Sequence, residues 1–555
     1  MTSIPNPAAR ARFDRIMALI QSGALAAAAA HLATARQLAP RDINLLNLAA
    51  HVATLQGDQQ RAATLYQQVL KLQPDLPSVR FNLLRAQAII AEQAGDLPAA
   101  LTALRQAEKI VPQDKQVAAQ SALIARQLCR FEPAPTLGNA PLNPAAAMVL
   151  LDDPQAQYAN AKRWAQQQFG AIQPLPPAPP RADDAPLRLG FLTSDLHEHA
   201  TAYLIAEMFE LIDRRRFTPF LYDYGAPDAS AISHRIRTAC PAGDNVHGQD
   251  APSIAARIRA DAIDLLIDLK GYTRGGRLDI LAYRPAPVQL HWLGFPGTLG
   301  CPFIDYFIAD AASLPPALHP AFSEKILTLP NSYQCNDRQR PLPPPLPRSA
   351  FGLPEDALVC ASFNQTYKLH PDLLTLWAEI LRAVPSSLLW LLASNMVAPE
   401  AIRAFFAKQG IAPERLHFAS PIPLAQHLQR YDAVDIALDT FPIGGHTTTS
   451  DALWLGVPVV TLAGDSFVNR VAASLLTATG QQALVTDNPA DYQALAMSLA
   501  QDAPLRQAIR AALVNDRLRL PLFASEIFAH HFMTGLELVW KRHRDGLAPA
   551  DCSVL

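Results

Sequence analysis

Apolar and small residues recur at helical spacing over the first 130 residues, and the spacing itself repeats. Gly23, Ala28, Leu32, Ala35 and Pro40 share one register with Gly57, Ala62, Tyr66, Val69 and Pro74, and with Gly95, Ala100, Leu104, Ala107 and Pro112. The glycines stand 34 and then 38 residues apart. A unit of about 34 residues with Gly at the turn between two helices, Ala where the helices touch and Pro at the end is the tetratricopeptide pattern. The four extra residues of the third unit predict a longer first helix, over 81–93. Such units stack into a superhelix whose concave groove is a surface for a protein or peptide.

Beyond Phe131 the pattern changes. A helix over 154–169 precedes the proline-rich PLPPAPPR at 174–181, and a second run, PLPPPLPR at 341–348, divides what remains. Short apolar runs then alternate with helical ones. LRLGFL (187–192), FTPFLYDY (217–224), IDLLIDL (263–269) and VQLHWL (288–293) predict strands in the first half. LVCASF (358–363), LLWLLA (388–393), VDIALD (434–439) and VPVVTL (457–462) predict them in the second, with helices over 371–384 and 468–478. Strands alternating with helices imply two parallel, doubly wound Rossmann-like lobes with a cleft between them. The reading is therefore a tetratricopeptide superhelix over 1–130 and a helix and connector over 131–185. A first α/β lobe over 186–340, a second over 341–524 and a C-terminal helix and tail over 525–555 complete it. The final amphipathic helix, 525–542, is long enough to cross back over the first lobe.

Composition narrows the function classes. Lys plus Arg number 47 against 49 Asp plus Glu, a formal net charge of −2, which predicts neither a nucleic-acid nor a membrane partner. An anionic ligand must be met by local donors. The six cysteines form no CxxC pair and read as reduced thiols, and neither a signal sequence nor a membrane span is evident. A cytoplasmic protein is the expectation.

The segment GGHTTTSDALWLG (444–456) lies where a strand passes into a helix. Free N–H groups and the helix dipole make such a terminus an anion site. Gly444 and Gly445 permit close backbone approach, Thr447 and Thr448 add hydroxyls, and Asp451 lies where it can accept from a ribose hydroxyl. Capping by Thr449 or Ser450 is the plainer use of this stretch, but it occupies one hydroxyl and leaves the rest idle. Lys368, in FNQTYKLHP after the strand 358–363, is a compact charge suited to a diphosphate. Asp195 and His199, in TSDLHEHATAY after the strand 187–192, lie four apart and can converge on one ligand. His197 and His199 lack a third ligand at metal spacing, so no metal is expected. WLGFPGTLG (292–300) is a second glycine-rich turn, whose plainer reading is a need for positive φ.

Diphosphate donors in one lobe and polar residues in the other describe a two-lobed nucleotide-sugar transferase. LGFLTSD, GYTRGGRLDILAYRPAPVQLHWLGFPGTLG, FNQTYK and GGHTTTSDALWLGVPVVTLAGDSFVNRVAASLL, together with the repeats, resemble the O-GlcNAc transferase family, glycosyltransferase family 41, in its bacterial form. The resemblance implies the glycosyltransferase-B fold and inverting transfer of N-acetylglucosamine from UDP-GlcNAc to Ser or Thr hydroxyls of proteins. The acceptor would lie along the repeat groove, and no cofactor or metal would be needed. It implies that Lys368 neutralises the diphosphate, with Gln365 beside the nucleotide. His446, Thr447 and Thr448 would form the pyrophosphate turn, Asp451 would bind ribose, and His427 would stack on uracil near Arg430. His199 and Thr201 would serve the sugar and active site, Asp195 a proton relay, and Leu293, Gly294 and Pro296 the loop beside the sugar. Whether His199, the α-phosphate or a relay to Asp195 takes the acceptor's proton stays open.

Departures from animal members are Leu424 for a lysine, Tyr203 for a histidine, alanines in NPAAAM (143–148), the missing insert between lobes and the three repeats. Three other readings stand beside this one. A related transferase could use UDP-glucose or GDP-fucose, or glycosylate asparagine. A sugar-nucleotide epimerase shares the two-lobed architecture, and a tetratricopeptide scaffold could carry a vestigial nucleotide site.

Overall fold

The computed structural model describes residues 7–21, 24–132, 138, 140–178 and 185–554. Gly23 and the last three residues of the first proline run, 179–181, lie outside them. The chain divides into two compact units, 1–138 and 139–555.

In the first unit each helix packs on the next: Pro7–Gln21, Leu25–Leu38, Ile43–Leu55, Gln59–Leu72, Pro77–Gln93, Leu97–Ile110 and Lys115–Gln127. The first helix of the third repeat has 17 residues where that of the second has 13, which absorbs the insertion. Gly57 and Gly95 have φ of +79° and +78°, and a Cβ there would meet nothing within 4 Å. These glycines supply a left-handed backbone at the turn, not room. The carboxylates of Asp58 and Asp96 then cap the second helix of each pair, accepting from the amides of Arg61 and Ala99 at 3.0 Å. Ala28, Ala62 and Ala100 are fully buried at the helix crossings. The seventh helix, Lys115–Gln127, extends the array beyond the three pairs.

The second unit holds two sheets in which every strand pair is parallel. The first contains β1 (Leu187–Thr193), β2 (Phe217–Asp223), β3 (Ala242–Asn245), β4 (Leu265–Asp268), β5 (Val288–His291), β6 (Tyr306–Asp310) and β7 (Lys325–Leu329). The second contains β8 (Leu358–Ser362), β9 (Ser387–Leu392), β10 (Leu416–Ala419), β11 (Ile436–Leu438), β12 (Val459–Leu462) and β13 (Val485–Thr486). A final strand, β14 (Cys552–Ser553), returns to the first sheet beside β7. The orders are β14-β7-β6-β5-β4-β1-β2-β3 and β10-β9-β8-β11-β12-β13. Each sheet reverses its winding once, between β1 and β4 and between β8 and β11, where doubly wound sheets open their ligand crevice. All eight strands read from apolar runs are present. The strands β4 and β8 are buried along their whole length, as parallel strands covered on both faces must be.

The segment before the first lobe is less of a connector than its sequence implies. The helix Pro154–Phe169 and the chain after it pack into the first lobe's core, with Ala165 buried and Phe169 edge-on to Phe303 at 5.7 Å. Gly300, at φ +66°, lies so close to this helix that a Cβ would stand 2.4 Å from the carbonyl carbon of Ala161. A short helix, Pro144–Leu150, precedes it.

The lobes are joined by buried polar and aromatic contacts. Asp310, at the end of β6, accepts from the Ser474 hydroxyl of the helix Phe467–Thr477 at 2.7 Å, and Phe467 lies 5.1 Å from the Phe307 ring. The helix Ser525–Arg544 crosses back over the first lobe as its length predicts, setting Phe532 4.5 Å from Trp292 and pairing Glu537 with Arg216. The chain then ends in β14, where Asp551 accepts from the Ile326 amide at 2.9 Å. Among the described residues no helix is long and apolar enough to cross a membrane.

Candidate active site

Most candidate residues follow the strands at the two switch points, while His427 and Arg430 follow β10 and the loop 293–296 follows β5. In the second lobe β8 is followed by Asn364, Gln365 and a 3-10 turn, Thr366–Lys368, while β11 is followed by the turn 439–446 and the helix Thr447–Trp454. Asp439, which closes the strand run VDIALD and is not among the candidates read from the sequence, organises this second turn. Its Oδ1 accepts from the amides of Thr440 (2.9 Å) and Gly445 (2.6 Å), and its Oδ2 from the Thr461 hydroxyl (2.7 Å). Gly445 leaves space for this arrangement, since a Cβ would come within 2.5 Å of the Thr449 hydroxyl. Asn364 ties the two turns together, donating to Asp439 and Thr440 and accepting from Thr448 Oγ1 at 2.7 Å.

Lys368 Nζ donates to the Gly444 carbonyl at 2.7 Å. The residue as a whole is half-buried, but its ammonium is walled in by protein, and that desolvation pulls its pKa down to about 8 against the opposing charge of Asp439. Lys368 forms no ion pair among the described residues. The adjoining helix begins at Thr447, ahead of both suggested capping residues, with His446 at the cap position and no side chain capping it. Thr449 and Ser450 are thus not its caps: Ser450 Oγ donates back to the Thr447 carbonyl at 3.0 Å. The amides of Thr447 and Thr448 find no partner among the described residues. His446 is held neutral, its pKa pulled down to about 3 by burial and by Lys368, so it adds no positive charge.

His427, on the helix Leu424–Gln429, meets Phe363 and Tyr431 edge-on, each at 5.4 Å, and burial followed by the charge of Arg430 lowers its pKa to about 4. Arg430 donates to the Ser420 carbonyl at 2.7 Å. Its Nη1, His446 Nε2 and Ser362 Oγ are buried without a partner among the described residues. Unpaired buried polar atoms are uncommon in native folds; Ser362 closes β8, Arg430 opens the 3-10 turn Arg430–Ala433 and His446 precedes the helix Thr447–Trp454. Gln365 is exposed at the head of the 3-10 turn. Asp451 is the fifth residue of its helix, buried, and accepts from Arg340 Nη1 at 3.0 Å, while burial lifts its pKa to about 6 against that guanidinium.

In the first lobe His199 caps the helix Ala200–Leu211, its Nδ1 accepting from the Thr201 amide at 3.2 Å. Thr201 is itself buried. Asp195 is held by Lys270, whose Nζ donates to Oδ1 at 2.7 Å, and its Oδ2 stands 3.6 Å from His199 Nδ1. Behind them Asp268, the last residue of β4, pairs with His291 Nδ1 at 2.8 Å, while His291 Nε2 lies 2.9 Å from the Phe295 carbonyl. Both ring nitrogens therefore face acceptors. Burial alone would lower the His291 pKa, but these acceptors raise it overall. The pair fixes the loop 293–296, where the backbone departs from expectation. Leu293, not a neighbouring glycine, has φ of +72°, at the centre of a three-residue turn closed from the Gly294 amide to the Trp292 carbonyl at 2.9 Å. Gly294 is required for close approach instead, since a Cβ would lie 2.2 Å from the Leu269 carbonyl oxygen. Pro296 is half-buried in the same loop.

Arg340 links the clusters. From the segment between lobes it reaches Asp451, while its neighbour Arg338 donates to Glu207 of the His199 helix at 2.7 Å. Charged residues closing apolar strands, as in IDLLIDLK and VDIALD, are the sequence signal by which Asp268, Lys270 and Asp439 can be found. Arg340 has no such signal, because its partner lies 111 positions away.

The sequence profile described as glycosyl transferase family 41 matches residues 176–344 and 346–532, more than half of the chain. This chain belongs to glycosyl transferase family 41. It is 35% identical over 377 residues to a probable UDP-N-acetylglucosamine–peptide N-acetylglucosaminyltransferase, SEC, of Arabidopsis thaliana, covering 66% of this chain and 38% of that protein. Identity to the UDP-N-acetylglucosamine–peptide N-acetylglucosaminyltransferase of Caenorhabditis elegans is 27% over 479 residues, 65% of this chain and 41% of that one. The family 41 chain thus spans about two fifths of the length of these curated relatives. A solved lysine-to-methionine variant of the O-GlcNAc transferase of Thermobaculum terrenum superposes with a TM-score of 0.69 at 27% identity, covering 98% of this chain and 99% of that one. The helical repeats followed by two parallel lobes are the architecture of this family.

Proposed function

We propose that this family 41 chain is an inverting glycosyltransferase that moves N-acetylglucosamine from UDP-GlcNAc to Ser or Thr hydroxyls of intracellular proteins. The observation that carries the reading is Lys368, a walled-in cation whose hydrogen-bond partner is a neutral carbonyl, beside an uncapped helix N-terminus. Such a pair awaits an anion, and the names of the relatives supply a nucleotide diphosphate sugar.

Attack of the acceptor oxygen on the anomeric carbon breaks the bond to the diphosphate, and negative charge collects on the leaving phosphate. Lys368 and the amides of Thr447 and Thr448 stabilise that charge, the work a divalent cation does in other transferases, so no metal is needed. Asp451, oriented by Arg340, accepts from the ribose, and the neutral His427 ring stacks on the base beside Arg430 and Gln365. His446 lines the turn as a neutral group. His199, Thr201 and the loop of Leu293, Gly294 and Pro296 hold the sugar and the incoming hydroxyl. The repeat groove receives the acceptor chain. Saturation-transfer NMR with UDP-GlcNAc, UDP-glucose and GDP-fucose, paired with transfer assays on Ser/Thr and Asn peptides, tests the donor and acceptor assignment. Preferred turnover of another donor would replace UDP-GlcNAc.

A further inference from the structure

The Lys270–Asp195–His199 cluster holds information that the transfer scheme does not use. Lys270 comes from the loop after β4, Asp195 and His199 from the loop after β1, and the Lys270 and Asp195 side chains are 5% and 6% exposed. His199 Nδ1 has two competing partners. The Thr201 amide at 3.2 Å can only donate, so that bond requires a lone pair on Nδ1. Asp195 Oδ2, at 3.6 Å, can only bond an Nδ1 that carries a proton. One nitrogen cannot satisfy both, and the shorter contact is to the amide.

We propose that Lys270 is a positioning residue: by holding Asp195 through Oδ1 it keeps the His199 ring neutral, with its lone pair on Nδ1 turned to the helix and its proton on Nε2. Lys270 compensates the carboxylate charge that would otherwise draw a proton onto Nδ1. The groups facing the pair support this. Burial lowers the His199 pKa first, Asp195 opposes it, and Lys270 and His197 lower it further; Tyr224, after β2, faces Asp195. His199 Nε2 has no partner among the described residues, and 43% of the side chain is open to solvent. A ring in this state offers a hydrogen-bond donor to an oxygen of a bound substrate, a consequence that rests on the transferase reading.

The test uses the full-length protein with 15N-labelled histidine, reading ring nitrogen shifts against pH, with His199 assigned by its loss in His199→Asn. The unliganded wild type is expected to show Nε2–H with an unprotonated Nδ1 and a titration midpoint below the ordinary value of about 6.5. Lys270→Met should raise that midpoint by roughly one unit, with Nδ1 becoming protonated. Lys270→Arg should restore the wild-type state, and the Asp195→Asn/Lys270→Met double variant should return the midpoint to a low value. Lys270→Gln keeps a donor to Asp195 and serves if the Met variant does not fold by circular dichroism. An Nδ1–H tautomer in the wild type, or a midpoint unmoved by loss of the Lys270 charge, overturns the proposal. The acid limb of kcat/KM should move with the midpoint. Absent transfer in the wild type would defeat the transferase reading while leaving the ring measurement intact.

Discussion

Lys368 and Gly444 meet at the second lobe's switch point, the ammonium donating to the carbonyl oxygen at 2.7 Å. A carbonyl satisfies one of three N–H bonds and compensates none of the charge, so the site is electrostatically incomplete without an anion. Asp439 is near enough to raise the Lys368 pKa, but its oxygens are already engaged by two amides and a threonine hydroxyl.

Lys368→Met should therefore abolish transfer while leaving the fold intact. An uncompensated diphosphate in a dry cleft costs about 3–4 kcal/mol in the transition state, or ~100-fold or more in kcat. Turnover above a tenth of the wild-type rate, with unchanged circular dichroism, would remove Lys368 from the mechanism.

The same desolvation gives UDP binding a pH dependence of definite sign. Free Lys368 loses its proton around a pKa of about 8, whereas a bound diphosphate raises that pKa by favouring the charged form. Affinity is thus full below about 8 and falls as pH rises through it, up to tenfold per unit, with proton uptake on binding in that window. Calorimetry in buffers of different ionisation enthalpy measures both. Lys368→Met should flatten this alkaline limb.

The lobes, the repeats and the second turn were legible because their signals are local. Apolar runs of six to eight residues marked eight strands, and the Gly-Ala-Pro register marked the helix pairs. The rest depends on distant partners. β14 has two residues and is a strand only because β7 offers it an edge. Arg340 and Lys270 acquire meaning from Asp451 and Asp195, which lie 111 and 75 positions away. The turn 292–300 was legible as glycine-rich, and positive φ falls on Gly300 as such a turn asks, but also on Leu293, while Gly294 serves close approach to Leu269.

Metal removal should leave the rate unchanged. Lys368 and the amides of Thr447 and Thr448 already supply the positive potential a leaving diphosphate requires. Dialysis against EDTA, followed by assays with and without Mn²⁺ or Mg²⁺, should give equal rates; a loss restored by either ion would assign the charge stabilisation to a metal.

Removing residues 1–75 separates acceptor delivery from nucleotide chemistry. The cut falls between the helices Gln59–Leu72 and Pro77–Gln93, so it deletes whole helices and leaves the last three of the array. The candidate diphosphate and base contacts, from Asn364 to Asp451, all lie in the second unit, and UDP affinity should stay within about twofold of the intact chain. Loss of the helix Gln59–Leu72 uncovers apolar positions such as Val79, which pack in its core cluster, so circular dichroism and gel filtration must first show a folded monodisperse protein. If the groove delivers the acceptor, transfer to folded or long unfolded proteins should fall at least tenfold, the loss of a contact surface worth about 1.4 kcal/mol or more. Transfer to a short peptide, which reaches the cleft without the groove, should fall less. Equal loss of UDP binding and of both transfer activities would make the repeats a support for the fold, and acceptor capture would have to be sought on the lobes themselves.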